Sequence, residues 1–302
     1  MNSGRRRITI VEFPSNLGLI EPAPGREPGV KNLPAWLKKF HFHELLNPDK
    51  IYSLTPPAYT MQVDPESDVR NADAIAEYAR SQAEMLSKLI GGNNFILALG
   101  GDCSIIIGNA LALKQAGNYG LFFLDGHTDF MWPELSNTKG AAGMDLAIAT
   151  GHGHKKLTDI LQLCPYISEE NTWCVGNREY DEEYVRTIVN SNIQYFDLNN
   201  LRQTGIENCS RLFLDHVNEY NLDGFWIHLD VDVLDDELMP AVDSRAAGGL
   251  DYAELKSILK CLLKSPKVKG MEITILDPDL DPDGKYTIAF AGEIAPLIQK
   301  TV

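Results

Sequence analysis

The chain predicts a three-layer α/β/α sandwich built on a mostly parallel sheet. Three observations carry that expectation. Short apolar runs alternate with helix-period segments along the chain, the pattern of a parallel sheet covered on both faces. Acidic clusters stand at the ends of two of these runs, where open α/β sheets carry ligand sites. No repeat, low-complexity tract or obvious linker divides the 302 residues. That length suits one large α/β unit, so residues 1–302 read as a single domain.

The elements follow in order. Arg7 to Phe13 reads as a first strand, and the Pro-rich stretch Glu21 to Pro34 as an early loop. Asp68 to Ile90 reads as a long helix, with Ile75, Tyr78, Ala79, Ala83, Leu86 and Leu89 on one face. Asn94–Leu99, Gly120–Leu124, Thr172–Gly176, Ile193–Phe196, Phe225–Asp230 and Val268–Ile275 read as strands, and Ser104–Gln115 as a helix. Asp251–Lys264 is the best-marked helix. Asp251 can cap it, Glu254 can close a capping box, and Leu255, Ile258, Leu259, Leu262 and Leu263 form one apolar stripe.

Hydrophobic content of 44% is ordinary for a globular protein. A net charge of −15 argues against nucleic acid and anionic membrane as partners. Cysteines 103, 164, 174, 209 and 261 are odd in number and include no Cys-x-x-Cys pair, which suits reduced thiols in a cytoplasm. The apolar run Ile8–Val11 is too short for a signal-peptide core, and no run approaches membrane length. The expectation is a soluble cytoplasmic protein acting on a small molecule.

The chemistry gathers in three short motifs. Asp125, His127 and Asp129 follow the run Gly120–Leu124, and Asp230 and Asp232 end the run that begins at Phe225. Residues i and i+2 of a strand point to the same side, so each set can converge on one point. One imidazole and four carboxylates suit a hard-to-borderline divalent cation such as Mn²⁺. Two clusters supply enough ligands for a pair of ions, an arrangement that activates water. The third motif, Gly100 to Ser104, reads as a tight strand-to-helix turn in which paired glycines allow unusual dihedrals. Its glycine spacing is not that of a dinucleotide site.

In this order, from Phe95 to Glu272, the motifs resemble the arginase/agmatinase/formiminoglutamase (ureohydrolase) family. The resemblance implies a parallel sheet of about eight strands and a binuclear Mn²⁺ centre. It also implies hydrolysis of a C–N bond in a guanidino, amidino or formimino group, and a trimer or hexamer. Carried over by position, Asp125 and Asp230 bridge two ions, and His127 and Asp232 complete one site. Asp129 binds the other ion and orients the attacking water. Glu272 pairs with the substrate's planar cation, for which a bidentate carboxylate is suited. Asp181 either contacts the substrate's far end or starts a solvated helix.

The chain departs from the family's pattern in several places. Cys103 stands where a histidine ligand is usual; it is either a softer thiolate ligand or a buried structural cysteine. Ala142 replaces a histidine that shuttles protons in arginases, and alanine cannot do so. His228 points to the same side of its strand as Asp230. It reads as an outer-sphere group, a proton source, a substitute ligand or a satisfied strand-end histidine. Phe130 to Pro133, with Met131 and Trp132, replaces the polar residues that bind the α-carboxylate in arginases, so L-arginine is expected to be a poor substrate. The acidic run Asp277–Gly284 lacks the EF-hand pattern and reads as an exposed loop. His152 and His154 read as surface residues, and Ser244 and Arg245 as lining a pocket mouth. The expected function is metal-dependent hydrolysis of a guanidino-type substrate other than arginine. Two alternatives stand beside it: a non-catalytic metal-binding protein, and a mononuclear deacylase using the His127 side alone.

Overall fold

A computed structural model of the chain describes residues 5–179 and 181–302. Eight strands form one sheet: β1 Arg7–Glu12, β2 Lys50–Ser53, β3 Asn94–Leu99, β4 Tyr119–Leu124, β5 Thr172–Val175, β6 Gln194–Phe196, β7 Gly224–Asp230 and β8 Val268–Thr274. Their spatial order is β2-β1-β3-β8-β7-β4-β5-β6, and every pairing is parallel.

Both faces of the sheet are buried, so its central strands read as continuous apolar runs. Along β4, Phe122 and Leu124 enter one core while Leu121 and Phe123 enter the other. Helices Leu33–Lys39, Ile206–Glu219, Tyr252–Leu263 and Lys285–Thr301 cover the first face. Helices Ala72–Ser87 and Ile105–Ala116 cover the second. The capping box at Asp251 and Glu254 is present. Among the described residues, no helix is long and apolar enough to cross a membrane.

Four expectations need correction. The helix expected from Asp68 starts at Ala72, because Asp68 and Asn71 adopt left-handed φ values of 58° and 53°. Gly100 and Gly101 have no positive φ; what the turn needs is the missing side chain. A Cβ on Gly101 would lie 1.7 Å from the carbonyl oxygen of Ser15. The acidic run after Ile275 is not an exposed loop. Asp281 is buried and accepts hydrogen bonds from the Thr287 amide and hydroxyl, starting the last helix, while Asp277 caps a short 3-10 turn. His152 is half-buried, hydrogen-bonded to Glu169 and packed edge-on against Phe130.

The register places the site. The neighbouring central strands β3, β8, β7 and β4 end side by side. Phe123, His228, Glu272 and Ala98 fall in one row across β4, β7, β8 and β3. Asp230 pairs in register with Thr274, one pleat nearer the strand ends.

Candidate metal centre

The bend after β4 and the turn after β7 are tied together through their own carboxylates. The His127 amide donates to Asp125 Oδ1 at 2.6 Å, and the Asp232 amide donates to Asp230 Oδ1 at 2.8 Å. The Gly126 amide crosses to Asp232 Oδ1 at 2.9 Å. Asp129 adopts a φ of 43°, a left-handed conformation that aspartate tolerates better than most residues. Arg178 supports the β7 turn from behind: its buried guanidinium donates to the carbonyls of Asp232 at 2.7 Å and Ala246 at 2.7 Å. Asn177 donates to the carbonyl of Asp125 at 3.1 Å and to that of His127. Neither Arg178 nor Asn177 was legible as a site residue, because each acts on backbone distant in sequence.

The expected ligands come together. His127 Nδ1 lies 2.8 Å from Asp232 Oδ2 and 3.8 Å from Asp125 Oδ1, and its Nε2 meets the Ser244 hydroxyl at 3.1 Å. Asp125, His127 and Asp232 place donor atoms within 4.8 Å of one another, and so do Cys103, Asp125, His228 and Asp230. Cys103 Sγ sits 2.9 Å from Asp230 Oδ2 and 3.1 Å from Thr274 Oγ1.

Electrostatics and hydrogen bonding show that these residues fit a divalent cation. Burial, and then repulsion from neighbouring carboxylates, raises the carboxyl pKa of Asp125, Asp129 and Asp230. Burial opposes charge on His127 as well, yet Asp232, Asp125 and Asp129 hold its pKa up at about 11. Asp232 is pushed up by burial but pulled below the usual carboxylate range by the His127 cation. Asp125 Oδ2 and His228 Nε2 are buried without any hydrogen-bond partner. A cage of carboxylates short of positive charge, with orphaned donor atoms facing inward, is what a bound divalent ion completes.

Other expected residues go elsewhere. Glu272 is fully buried beneath the cleft, not in it. Its Oε1 meets His228 Nδ1 at 2.6 Å, and Asn109 donates to Oε2. Register explains this, because Glu272 shares a row with His228 inside the sheet, and the cleft is lined instead by Ile275, beyond the strand. Asp181 caps the helix Glu182–Val189 through the amides of Glu183 and Tyr184, while Glu179 is the acid of that loop that lines the cleft. Met131 lines the cleft, but Trp132 faces a separate cavity beside Phe130 and His152. Ser244 lines the cleft, whereas Arg245 pairs with Asp236 beside another cavity.

The cleft above these ligands has a volume of about 650 Å³. Its acids are Asp129, Glu179, Asp230, Asp232, Asp243 and Asp277, and among the described residues no lysine or arginine lines it. Ser136 and Thr138 add hydroxyls, and Ala142 forms part of the wall.

The parallel sheet, its covering helices and the carboxylate–imidazole cage at its central strand ends define an α/β/α protein with a buried cluster that could hold divalent metal at that edge. More narrowly, the chain belongs to the arginase family, whose model matches residues 8–298. The arginase of Staphylococcus aureus is 33% identical over 217 residues, 72% of this chain and 71% of that protein. The arginase of Bacillus subtilis is 27% identical over 285 residues, 93% of each chain. The structure of arginase from Bacillus caldovelox matches with a TM-score of 0.86 at 26% identity, covering 97% of this chain and 98% of that one.

Proposed function

We propose that this chain is a metal-dependent hydrolase that cleaves a C–N bond of a cationic guanidino, amidino or formimino substrate, using two Mn²⁺ ions. The observation that carries this reading is the convergence of Asp125, His127, Asp129, Asp230 and Asp232 at the foot of one acidic cleft. Divalent ions held there would supply an activated water as nucleophile near neutral pH.

The chain's own residues divide the remaining work. Asp125 and Asp230 would serve both ions, His127 and Asp232 would hold one, and Cys103 and Asp129 would hold the other. Asp129 also orients the attacking water. His228 supplies the imidazole that Cys103 does not. Its Nδ1–H donates to Glu272, which leaves Nε2 as a lone-pair donor beside Cys103, Asp125 and Asp230. A carboxylate behind a histidine fixes its tautomer and raises its basicity, the usual support for a ligating imidazole. Glu272 is therefore a positioning residue in this reading. Glu179, Asp243 and Asp277 give the cleft its attraction for a cationic substrate. We place the enzyme in the cytoplasm, as one domain over 1–302 that assembles with copies of itself.

Among the described residues the cleft has hydroxyls but no lysine or arginine with which to pair a substrate carboxylate. L-Arginine is accordingly expected to be hydrolysed with a kcat/KM at least ~10²-fold below that of the same guanidine lacking the α-carboxylate. The test is urea, ammonia or formamide release from a panel of guanidino, amidino and formimino compounds after Mn²⁺ reconstitution. Turnover of one member at ~1 s⁻¹ or faster supports the reading. No release from any member would sink it. Arginine as the best substrate would overturn the specificity alone.

A further inference from the structure

Asp145 lies outside every motif described above. It opens the short helix Asp145–Ala149, three positions beyond Ala142. Its side chain is fully buried, and neither carboxylate oxygen has a hydrogen-bond partner. A buried carboxylate without partners is among the most unfavourable groups a protein interior can hold, unless a cation completes it. Asp145, Cys103 and Asp129 each place a donor atom within 4.8 Å of the other two. The three come from separate segments: the turn after β3, the bend after β4, and the start of this helix. The group excludes His127, which belongs with Asp125 and Asp232.

We propose that Asp145 is a metal ligand that holds, together with Cys103 and Asp129, the ion on the Cys103 side of the pair. The inference rests on the metal-dependent reading of the cleft and adds a ligand to it. The Cys103 side offers a thiolate and carboxylates, while the His127 side offers an imidazole and carboxylates. Thiolate favours softer ions, so the Cys103 side is suited to Zn²⁺, Fe²⁺ or Co²⁺ as well as to Mn²⁺, while the His127 side has no thiolate. The loop that lost a histidine at position 142 thus carries a buried acid that strengthens an altered ion site.

Co²⁺ is the probe for the test, because a thiolate ligand gives it a sulfur-to-cobalt charge-transfer band in the near ultraviolet. The full-length protein is titrated with Co²⁺, following that band and the cobalt bound per chain. The parent is expected to bind two ions and to show a band that Cys103→Ser abolishes. Asp145→Asn is expected to bind the Cys103-side ion at least ~10-fold more weakly, with the His127-side ion unchanged. Metal-free Asp145→Asn is expected to melt no lower than the parent, since it removes an unpartnered buried carboxylate. That control separates lost binding from lost folding; a lower melting point without metal makes Asp145 a structural acid and ends the proposal. Two ions, parent affinity and an undiminished band in Asp145→Asn also overturn it, even if turnover falls, because the acid then acts on protons. A parent that binds no cobalt overturns the metal-dependent reading itself, whereas an unchanged variant of a metal-binding parent overturns this assignment alone.

Discussion

Asp125→Asn is expected to empty both ion sites and to lower kcat/KM by about 10²–10⁴-fold. Asp125 is the residue that joins the two halves of the cage. It belongs to the His127–Asp232 group and also to the group of Cys103, His228 and Asp230. Its Oδ1 accepts from the His127 amide, while its Oδ2 makes no hydrogen bond and stands 3.7 Å from His228 Nε2, so a cation can be held between them. An amide can still accept the His127 hydrogen bond but cannot bridge two cations as an anion. Losing even an outer partner of a metal ligand commonly weakens binding ~10–100-fold, and this change acts on two ions at once. The variant removes a buried charge that burial and its neighbours already disfavour, so the fold is expected to persist. Metal analysis and kinetics on the same sample check the prediction. A variant that keeps both ions and turns over normally would show that Asp125 is a structural acid.

Gly101→Ala is expected to destabilise the protein by about 3 kcal/mol or more, at or beyond the upper end of ordinary overpacking. The new Cβ would stand 1.7 Å from the Ser15 carbonyl oxygen and 2.8 Å from its carbon. Both sides of this contact are backbone, so no side-chain rotation relieves it. The segments are also stitched together: the Asp102 amide donates to the Ser15 carbonyl at 3.1 Å, and the Ser15 hydroxyl donates to Asp102 at 2.8 Å. On the other side, the Ile275 amide donates to the Gly101 carbonyl at 2.8 Å. Moving Gly101 therefore disturbs Cys103 and the end of β8 together. For a chain of this size the loss corresponds to a fall in melting temperature on the order of 5 °C or more. An unchanged melting temperature in Gly101→Ala would show that the loop shifts without cost.

The candidate ligands that were legible in the sequence share one property: they lie in short contiguous motifs at strand ends. Asp125, His127, Asp129, Asp230 and Asp232 could be read because local geometry alone makes i and i+2 converge. Glu272 was assigned to the substrate by resemblance, and neither that nor local geometry says how far along its strand the cleft begins. Only the register against β7, which sets Glu272 beside His228, decides that. Asp145 gave no signal, since it lies in no motif at a strand end and its burial is tertiary. Asp181 and Trp132 follow the same lesson: a short step along the chain separates Glu179 and Met131, which line the cleft, from neighbours that face elsewhere. In the fold, the central strands were legible from their apolar runs. The edge strand Lys50–Ser53 was not, being short and largely exposed. The last helix was hidden by Pro296 in its interior, a residue that normally ends helices.

The cleft is proposed to hold a two-ion hydrolytic centre built around Asp125. Its most direct test is metal content per chain, by elemental analysis after reconstitution with Mn²⁺ and removal of excess. Two ions per chain are predicted, with loss of both in Asp125→Asn. One ion would contradict the binuclear reading and point to a centre on the His127 side alone. No bound ion would contradict metal-dependent hydrolysis altogether.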